Sequence, residues 1–408
     1  MSRERKRFPS TKSVRRFFDK LRDEHPKVHP KCLHFGHCGG CYLQDISYED
    51  QLRMKLAFLK ELFENRFELE GIVVPSPQPF YYRHRMDFVC AFGNIGLRRR
   101  GNYAEVVDLH ECHLISQRAF DLLRFIKERV REYGIRDYDF LEHQGFLRYV
   151  VLREAKFTDE LMVILTAASP PDVRQREKLI QLLEEIAAQA ESVYWLRHEG
   201  LRDHSYGEPV RNLSSPHIIE KIGSCQFIIK PDVFFQSNPL LVWKTYEDIK
   251  EHVYGRVLDL YCGIGTISLY ISGACEHVTG VELMGSSVQT ARESAELNGI
   301  ENVRFHVEDV GEYLKRDERF DVIVVDPPRP GLSRKIIKRI KRIGPDRIVY
   351  MSCNPVTQFE DLKRLCDEYE PERPIRAYDM FPQTYHVETL AILKRRPRRR
   401  GRRRVQDG

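Results

Sequence analysis

Apolar and polar residues alternate along this chain with two different periods, and the change between them divides it. Over residues 45–66 Leu52, Leu56, Leu59 and Phe63 recur at helical spacing, which predicts an amphipathic helix. A shorter helix is expected over 13–22. Pro75, Pro77 and Pro79 then break the chain, and the period shortens to two. Residues 86–92 and 95–98 flank a Gly-Asn turn and predict a hairpin. Further strands are expected at 149–154, 161–167, 192–196 and 225–229, interrupted by helices at 118–133 and 174–189. This span reads as an α+β unit over residues 31–230.

After Pro231 the pattern becomes regular. A helix to about 251 is followed by strands at 256–260, 277–282, 303–307, 320–325 and 347–351, with helices at 267–272 and 286–298 between them. Such alternation implies a doubly wound, largely parallel sheet over 231–393. In such sheets ligands collect outside the carboxyl ends of the strands. Asp259-x-x-x-Gly263-x-Gly265 follows the first strand and lets backbone approach a ligand at a helix N-terminus. Glu282 ends the second strand about 20 residues later, where an acid accepts from ribose hydroxyls. Ser268 stands where a dinucleotide motif has its third glycine. A nucleoside without pyrophosphate therefore fits better, and S-adenosylmethionine is the usual one. Asp309, after the third strand, is placed to reach its adenine, and Asp326, after the fourth, lies beside its reactive end. The fifth strand ends at Cys353, and Asn354-Pro355 closes it with a turn. A thiol there is a candidate nucleophile once its pKa is lowered.

Charge adds a partner. The net charge of +6 divides into +7 over residues 1–31, +8 over 394–408 and −9 over the body between. Basic tails of this kind favour polyanions through counterion release, and nucleic acid is the expected partner. Residues 1–30 read as a poorly ordered basic lead-in and 394–408 as a basic tail. No apolar run is long enough to span a bilayer, and the N-terminus has no apolar signal region. A cytoplasmic monomer is expected.

Ten cysteines in such a chain argue for metal or catalysis. Cys32, Cys38 and Cys41 fall in a loop with Gly36, Gly39 and Gly40, which lets thiolates converge. Cys112 is the best fourth ligand and Cys90 the next. Zinc, with thiolates or with His34 or His37, and a [4Fe–4S] cluster both suit this spacing.

Taken together these stretches resemble the RNA 5-methyluridine methyltransferases, specifically their iron–sulfur ribosomal RNA branch. The resemblance runs from residue 32 to about 393. It rests on Cys32/Cys38/Cys41/Cys112, Phe234-Phe235-Gln236-x-Asn238, Asp259-Leu260-Tyr261-Cys262-Gly263-x-Gly265, Asp326-Pro327-Pro328-Arg329-x-Gly331, Ser352-Cys353-Asn354-Pro355 and Asp379-Met380-Phe381-Pro382-Gln383-Thr384-x-His386-x-Glu388. It implies a Rossmann-like class I methyltransferase domain, preceded by an α+β domain carrying a [4Fe–4S] cluster on Cys32, Cys38, Cys41 and Cys112. It implies S-adenosylmethionine contacts from Gln236, Tyr261, Glu282 and Asp326. Cys353 would add to uracil C6 and Glu388 would remove the C5 proton. Phe235, Tyr261 and Phe381 are candidates to hold a base drawn from its stack. The implied substrate is a uridine in RNA, 23S ribosomal RNA ahead of transfer RNA. Two departures stand out. Many relatives begin with a small β-barrel, whereas only a short basic segment precedes Cys32 here. Thr266 stands where some relatives have Asn. Of the rival readings, an exocyclic-nitrogen methyltransferase needs neither Cys353 nor Glu388. A non-catalytic RNA-binding protein needs no nucleoside pocket.

Overall fold

The computed structural model describes residues 8, 10–63 and 66–397. The larger of its two main sheets has nine strands. Arg256–Leu260, His277–Glu282, Val303–Val307, Val322–Val325 and Arg347–Ser352 run parallel, as the alternating pattern predicts. Glu388–Arg395 is antiparallel to Arg347–Ser352 and continues the sheet outward. Period-two burial explains why both faces are covered. Val257, Val349 and Met351 enter one apolar cluster, while Leu258, Ile348 and Tyr350 enter the other.

The outer edge of this sheet holds a surprise for the sequence reading. Leu69–Val74, a segment assigned from sequence to the 31–230 unit, pairs in parallel with Ile375–Tyr378. The helix Tyr48–Phe63 belongs to the same layer, burying Phe58, Leu59 and Phe63 against it. Proximity in sequence to the cysteine loop therefore says little about which sheet a segment joins. Within residues 1–30, read as a poorly ordered lead-in, the helix expected over 13–22 is present as the capped helix Thr11–Glu24. Ser10 and Ser13 form a reciprocal capping box at its start. Phe18, fully buried, packs 5.4 Å from Phe58. Five basic residues in the helix had masked this apolar stripe. Of the basic tail, Lys394–Pro397 lies within the described residues, with Lys394 and Arg395 ending the last strand. Residues 398–408 lie outside them.

The second main sheet has seven strands, in the order Glu208–Asn212, Ser192–Arg197, Leu161–Ala167, Leu147–Glu154, Arg85–Ala91, Asn94–Arg99 and Asn102–Asp108. The helices Gln117–Tyr133 and Val173–Ala187 cover it. The cysteine loop docks on its edge, where Gly39 N–H donates to the Arg98 carbonyl at 3.0 Å.

One buried ion pair fixes the chain between Tyr378 and Glu388. Lys55 Nζ lies 2.5 Å from Asp379 Oδ1, both side chains fully buried, and also donates to the Phe381 carbonyl at 3.1 Å. Gln51 adds a two-way bond to Gln383, donating at 2.9 Å and accepting at 3.0 Å. Removing one member of such a pair leaves a buried charge uncompensated. Lys55→Met should cost about 3–5 kcal/mol in denaturant unfolding. Lys55→Met/Asp379→Leu should recover most of that loss.

Candidate active site

The parallel strands deliver their carboxyl ends to one rim, and the chemistry-bearing residues collect there. A cavity of about 790 Å³ opens at this rim. Gln236, Tyr261, Glu282, Asp326, Cys353 and Glu388 all line it. Cys353 follows the end of Arg347–Ser352. Glu388 begins the antiparallel neighbour, and the Ser352–Thr389 pairing sets it beside Cys353 across that register. Thus two residues 35 positions apart in sequence share one edge of one strand pair.

The nucleoside side is built by backbone. Tyr261 has φ +65°, Gly263 +55° and Gly265 +74°. The left-handed region at Gly263 costs nothing without a Cβ, and that side of Gly263 is open. At Gly265 a Cβ would come within 2.6 Å of the Phe305 ring, so close helix–sheet packing requires glycine there. Glu282 accepts from Gly263 N–H at 3.2 Å and from Met284 N–H at 2.9 Å. Its carboxylate is thereby oriented at the strand end, as a ribose acceptor requires. Thr266 is buried and its Oγ1 accepts from the Tyr246 hydroxyl at 2.8 Å. Asp309 is not among the residues lining the cavity. It caps the short helix Val310–Tyr313, accepting from Glu312 N–H at 3.0 Å, and acts electrostatically on the cavity-lining Tyr261.

The reacting side is electrostatically tense. Gln236 Nε2 donates to Asp326 Oδ2 at 3.3 Å. Desolvation pushes the Asp326 carboxyl up to about 7, against the lowering effect of that bond. Burial pushes Glu388 up to about 8; Asp326 adds to the rise, and Arg329 opposes it. Glu388 Oε2 is buried without a hydrogen-bond partner. The Cys353 thiol is pushed up to about 11, first by burial and then by Glu388 and Asp326, while Arg329 pulls it down. Two acids and a thiol crowded into one desolvated space resist ionising together. The thiol can give up its proton once positive charge or a hydrogen-bonding ligand enters, and a partnerless carboxylate is well suited to take a proton from a ligand.

The aromatic candidates divide. Tyr261 and Phe381 line the cavity, and Phe381 stands edge-on to His386 at 5.9 Å. Phe235 is 4% exposed and packs on His84 at 5.0 Å, so most of its ring is core. Its neighbour Phe234, 63% exposed, is the freer ring of the cavity wall and was missed. Burial alternates from Pro231 to Phe235, and only that placement in the fold separates the two rings. Arg83, from the other domain, also lines the cavity with no ion pair among the described residues. Only the fold could bring it there.

Cys32, Cys38, Cys41 and Cys112 line a second, small cavity together with Leu97, Leu109 and Leu114. Burial raises all four thiols, Cys32 to about 11 and Cys41 and Cys112 to about 12. Cys90 is buried inside the strand Arg85–Ala91 and does not line this cavity. His34 lines it, but its Nε2 accepts from His110 N–H at 2.9 Å; His37 does not. Among the described residues no group of three or more His, Cys, Asp or Glu is gathered so as to hold a metal ion. The expected convergence of thiols on one centre is thus met only as far as a shared cavity.

A profile of the tRNA (uracil-5-)-methyltransferase family matches residues 224–396. A tRNA (uracil(54)-C(5))-methyltransferase of Pyrococcus abyssi is 35% identical over 90% of this chain and 86% of its own length. A 23S rRNA (uracil(747)-C(5))-methyltransferase of Pyrococcus horikoshii is 34% identical over 94% of this chain and 90% of its own length. The solved structure of the Pyrococcus abyssi tRNA (uracil-54, C5)-methyltransferase in complex with S-adenosyl-L-homocysteine superposes with a TM-score of 0.77 at 33% identity, covering 90% of this chain and 85% of that one.

Proposed function

The chain belongs to the RNA (uracil-5-)-methyltransferase family, and from that membership we propose that Cys353 and Glu388 carry out its reaction on a uridine of 23S ribosomal RNA. The protein is an S-adenosylmethionine-dependent RNA uracil-C5 methyltransferase on a Rossmann-like class I fold. No helix among the described residues is long and apolar enough to cross a membrane.

The observation that carries the proposed division of labour is the meeting of a strand-end thiol and a partnerless buried carboxylate in one cavity. Uracil C5 is too weak a carbon nucleophile to be alkylated unaided. The Cys353 thiolate adds to C6, and the electron pair moves to C5 through an enolate. S-adenosylmethionine, when bound, supplies an electrophilic methyl group. Gln236, Tyr261 and Glu282 are assigned to hold it, Glu282 through its backbone-anchored carboxylate. Asp326, tied to Gln236, orients the reacting end. Glu388 then removes the C5 proton, the C6–S bond breaks, and the thiolate is regenerated. Arg329 tempers the negative charge that builds on Cys353 and Glu388.

Two RNA classes share this chemistry. The ribosomal reading is supported by the coverage of the 23S rRNA relative, 94% of this chain, and the transfer RNA reading by an equal level of identity in the tRNA relative. Mapping 5-methyluridine in total RNA from a deletion strain tests the choice. Loss of a 23S position is expected, and loss confined to position 54 of transfer RNA would overturn it.

For the four-cysteine cavity we propose a [4Fe–4S] cluster. In a cubane each thiolate binds a different iron, so the sulfurs stand further apart than around a single ion. Four half-buried thiols around an apolar hollow suit that donor set better than one zinc, which draws its ligands to about 2.3 Å. Anaerobically purified protein should be brown and contain about four irons per chain. Stoichiometric zinc without iron would sink this assignment and leave the methyl transfer untouched.

A further inference from the structure

Three arginines from distant parts of the chain meet beside the mouth of the catalytic cavity. Arg15 lies on the helix Thr11–Glu24, Arg100 follows the strand Asn94–Arg99, and Arg329 lies in the loop after Val322–Val325. All three line one groove of about 680 Å³, and Arg329 lines the catalytic cavity as well. The Arg15 and Arg100 guanidinium groups stand 5.1 Å and 4.9 Å from the centroid of the same ring, Tyr42. Tyr42 in turn stands edge-on to Tyr385 at 5.3 Å.

Three of the groove's other arginines are neutralised, while Arg83, which lines both the groove and the catalytic cavity, forms no ion pair among the described residues. Arg85 pairs with Asp87 at 2.8 Å, Arg98 with Asp203 at 2.6 Å and Arg99 with Glu105 at 2.6 Å. Arg15, Arg100 and Arg329 form no ion pair among the described residues. Asp19 accepts from the Tyr42 hydroxyl and acts on Arg15 through space, without a salt bridge to it among the described residues. Like charges held on one aromatic platform without a salt-bridged carboxylate repel one another, and Arg15 and Arg22 both act against the charge on Arg100. They are stabilised by an anion from outside, and the planar guanidinium matches phosphate oxygens in pairs.

The helix that carries Arg15 is fixed at the site. Phe18 seats it on Phe58, and Arg22 grips Asp45 through Nε at 2.9 Å and Nη2 at 2.7 Å. A further cavity of about 290 Å³ has Thr11 and Val14 on one wall and Cys353 and Asn354 on the other. Lys12 and Arg16, both exposed, lie one helical turn apart on the row beside Arg15, with no ion pair among the described residues.

We propose that the helix Thr11–Glu24 is an RNA-gripping element of the active site: Arg15, Arg100 and Arg329 bind phosphodiester groups of the strand entering beside Cys353, and Lys12 and Arg16 extend that track. The proposal rests on the RNA methyltransferase reading and names where its substrate's backbone runs. Tyr42 and Tyr385 give the groove the mixed aromatic and basic character that suits single-stranded RNA.

The test is Lys12→Gln/Arg15→Gln/Arg16→Gln beside a charge-keeping partner, Lys12→Arg/Arg15→Lys/Arg16→Lys. Binding of a fluorescent oligouridine RNA of about 20 nucleotides is followed across a salt series, with no methyl donor present. Each lost phosphate contact removes about 0.7 from the salt slope for a single strand, so the neutral variant should lose about 2. Its affinity near physiological salt should fall about tenfold or more, and the charge-keeping variant should recover most of it. S-adenosylhomocysteine binding and the thermal midpoint report that both variants are folded. An unchanged slope, or a charge-keeping variant as weak as the neutral one, would overturn the proposal. Covalent trapping of the wild-type enzyme on 5-fluorouridine RNA tests the underlying reaction separately, so failure of one is distinct from failure of the other.

Discussion

Cys353→Ala should abolish 5-methyluridine formation and yield no covalent protein–RNA species. The proposed reaction has no route to an electron-rich C5 without addition at C6, so loss of the nucleophile is not compensated by the remaining residues. Groups that act as one unit lose nearly the whole of their effect when one is removed, and a drop of at least about 10⁴-fold is expected. The variant should nevertheless bind S-adenosylhomocysteine normally. The nucleoside side of the cavity is built from Tyr261–Gly265 and the Glu282 carboxylate, which are held by backbone and not by the thiol. The readouts are a denaturing gel on 5-fluorouridine RNA and methyl incorporation into RNA. A Cys353→Ala enzyme that still makes 5-methyluridine would overturn the covalent reading.

The parallel strands were legible because each is a short segment of four to six residues, a mostly apolar run or, at Val303–Val307, an alternating one. Their strand-end residues were legible for the same reason, since a period-two run dictates where it stops. Glu388 was not legible this way. Glu388–Arg395 lies antiparallel to Arg347–Ser352, and no local pattern distinguishes that direction. Its role came from the motif that contains it. Leu69–Val74 escaped because its partner, Ile375–Tyr378, is some 300 residues away, a glycine interrupts it and prolines follow it. The helix Arg334–Ile343 escaped because six of its ten residues are Lys or Arg, although Ile336, Ile337 and Ile340 form a narrow buried stripe. Arg83 and Arg100 reach the active-site region only through the docking of one domain on the other. Spacing along the chain carries no trace of that. Asp309, a strand-end acid whose position suggested a ligand, also caps the helix that follows it, a second role that its place at the strand end did not reveal.

Glu388→Gln should give the opposite phenotype from Cys353→Ala at the same cavity. The amide keeps the size of the side chain and loses its basicity, so the thiolate can still add and C5 can still be alkylated. Proton removal then fails, and elimination with it. The methylated RNA should accumulate on the enzyme as a slow band on a denaturing gel, while turnover falls by about 10²–10⁴-fold. Stability supplies an independent reading. The folded carboxyl is raised to about 8 from an ordinary 4.5, chiefly by burial. A raised carboxyl contributes stability that is fully present below about 4.5 and is lost as pH rises through about 8. The wild-type enzyme should therefore lose roughly a few kcal/mol across that window from this group, and Glu388→Gln, which cannot ionise, should not. Thermal midpoints should accordingly converge at acid pH and separate above neutrality, with the variant higher. The same ionisation should shape catalysis, with kcat/KM of the wild type rising towards pH 8 as the base becomes available. A Glu388→Gln enzyme that turns over at the wild-type rate would remove Glu388 from the mechanism. One that accumulates no adduct while Cys353 remains would place its role before alkylation, in taking the thiol's proton.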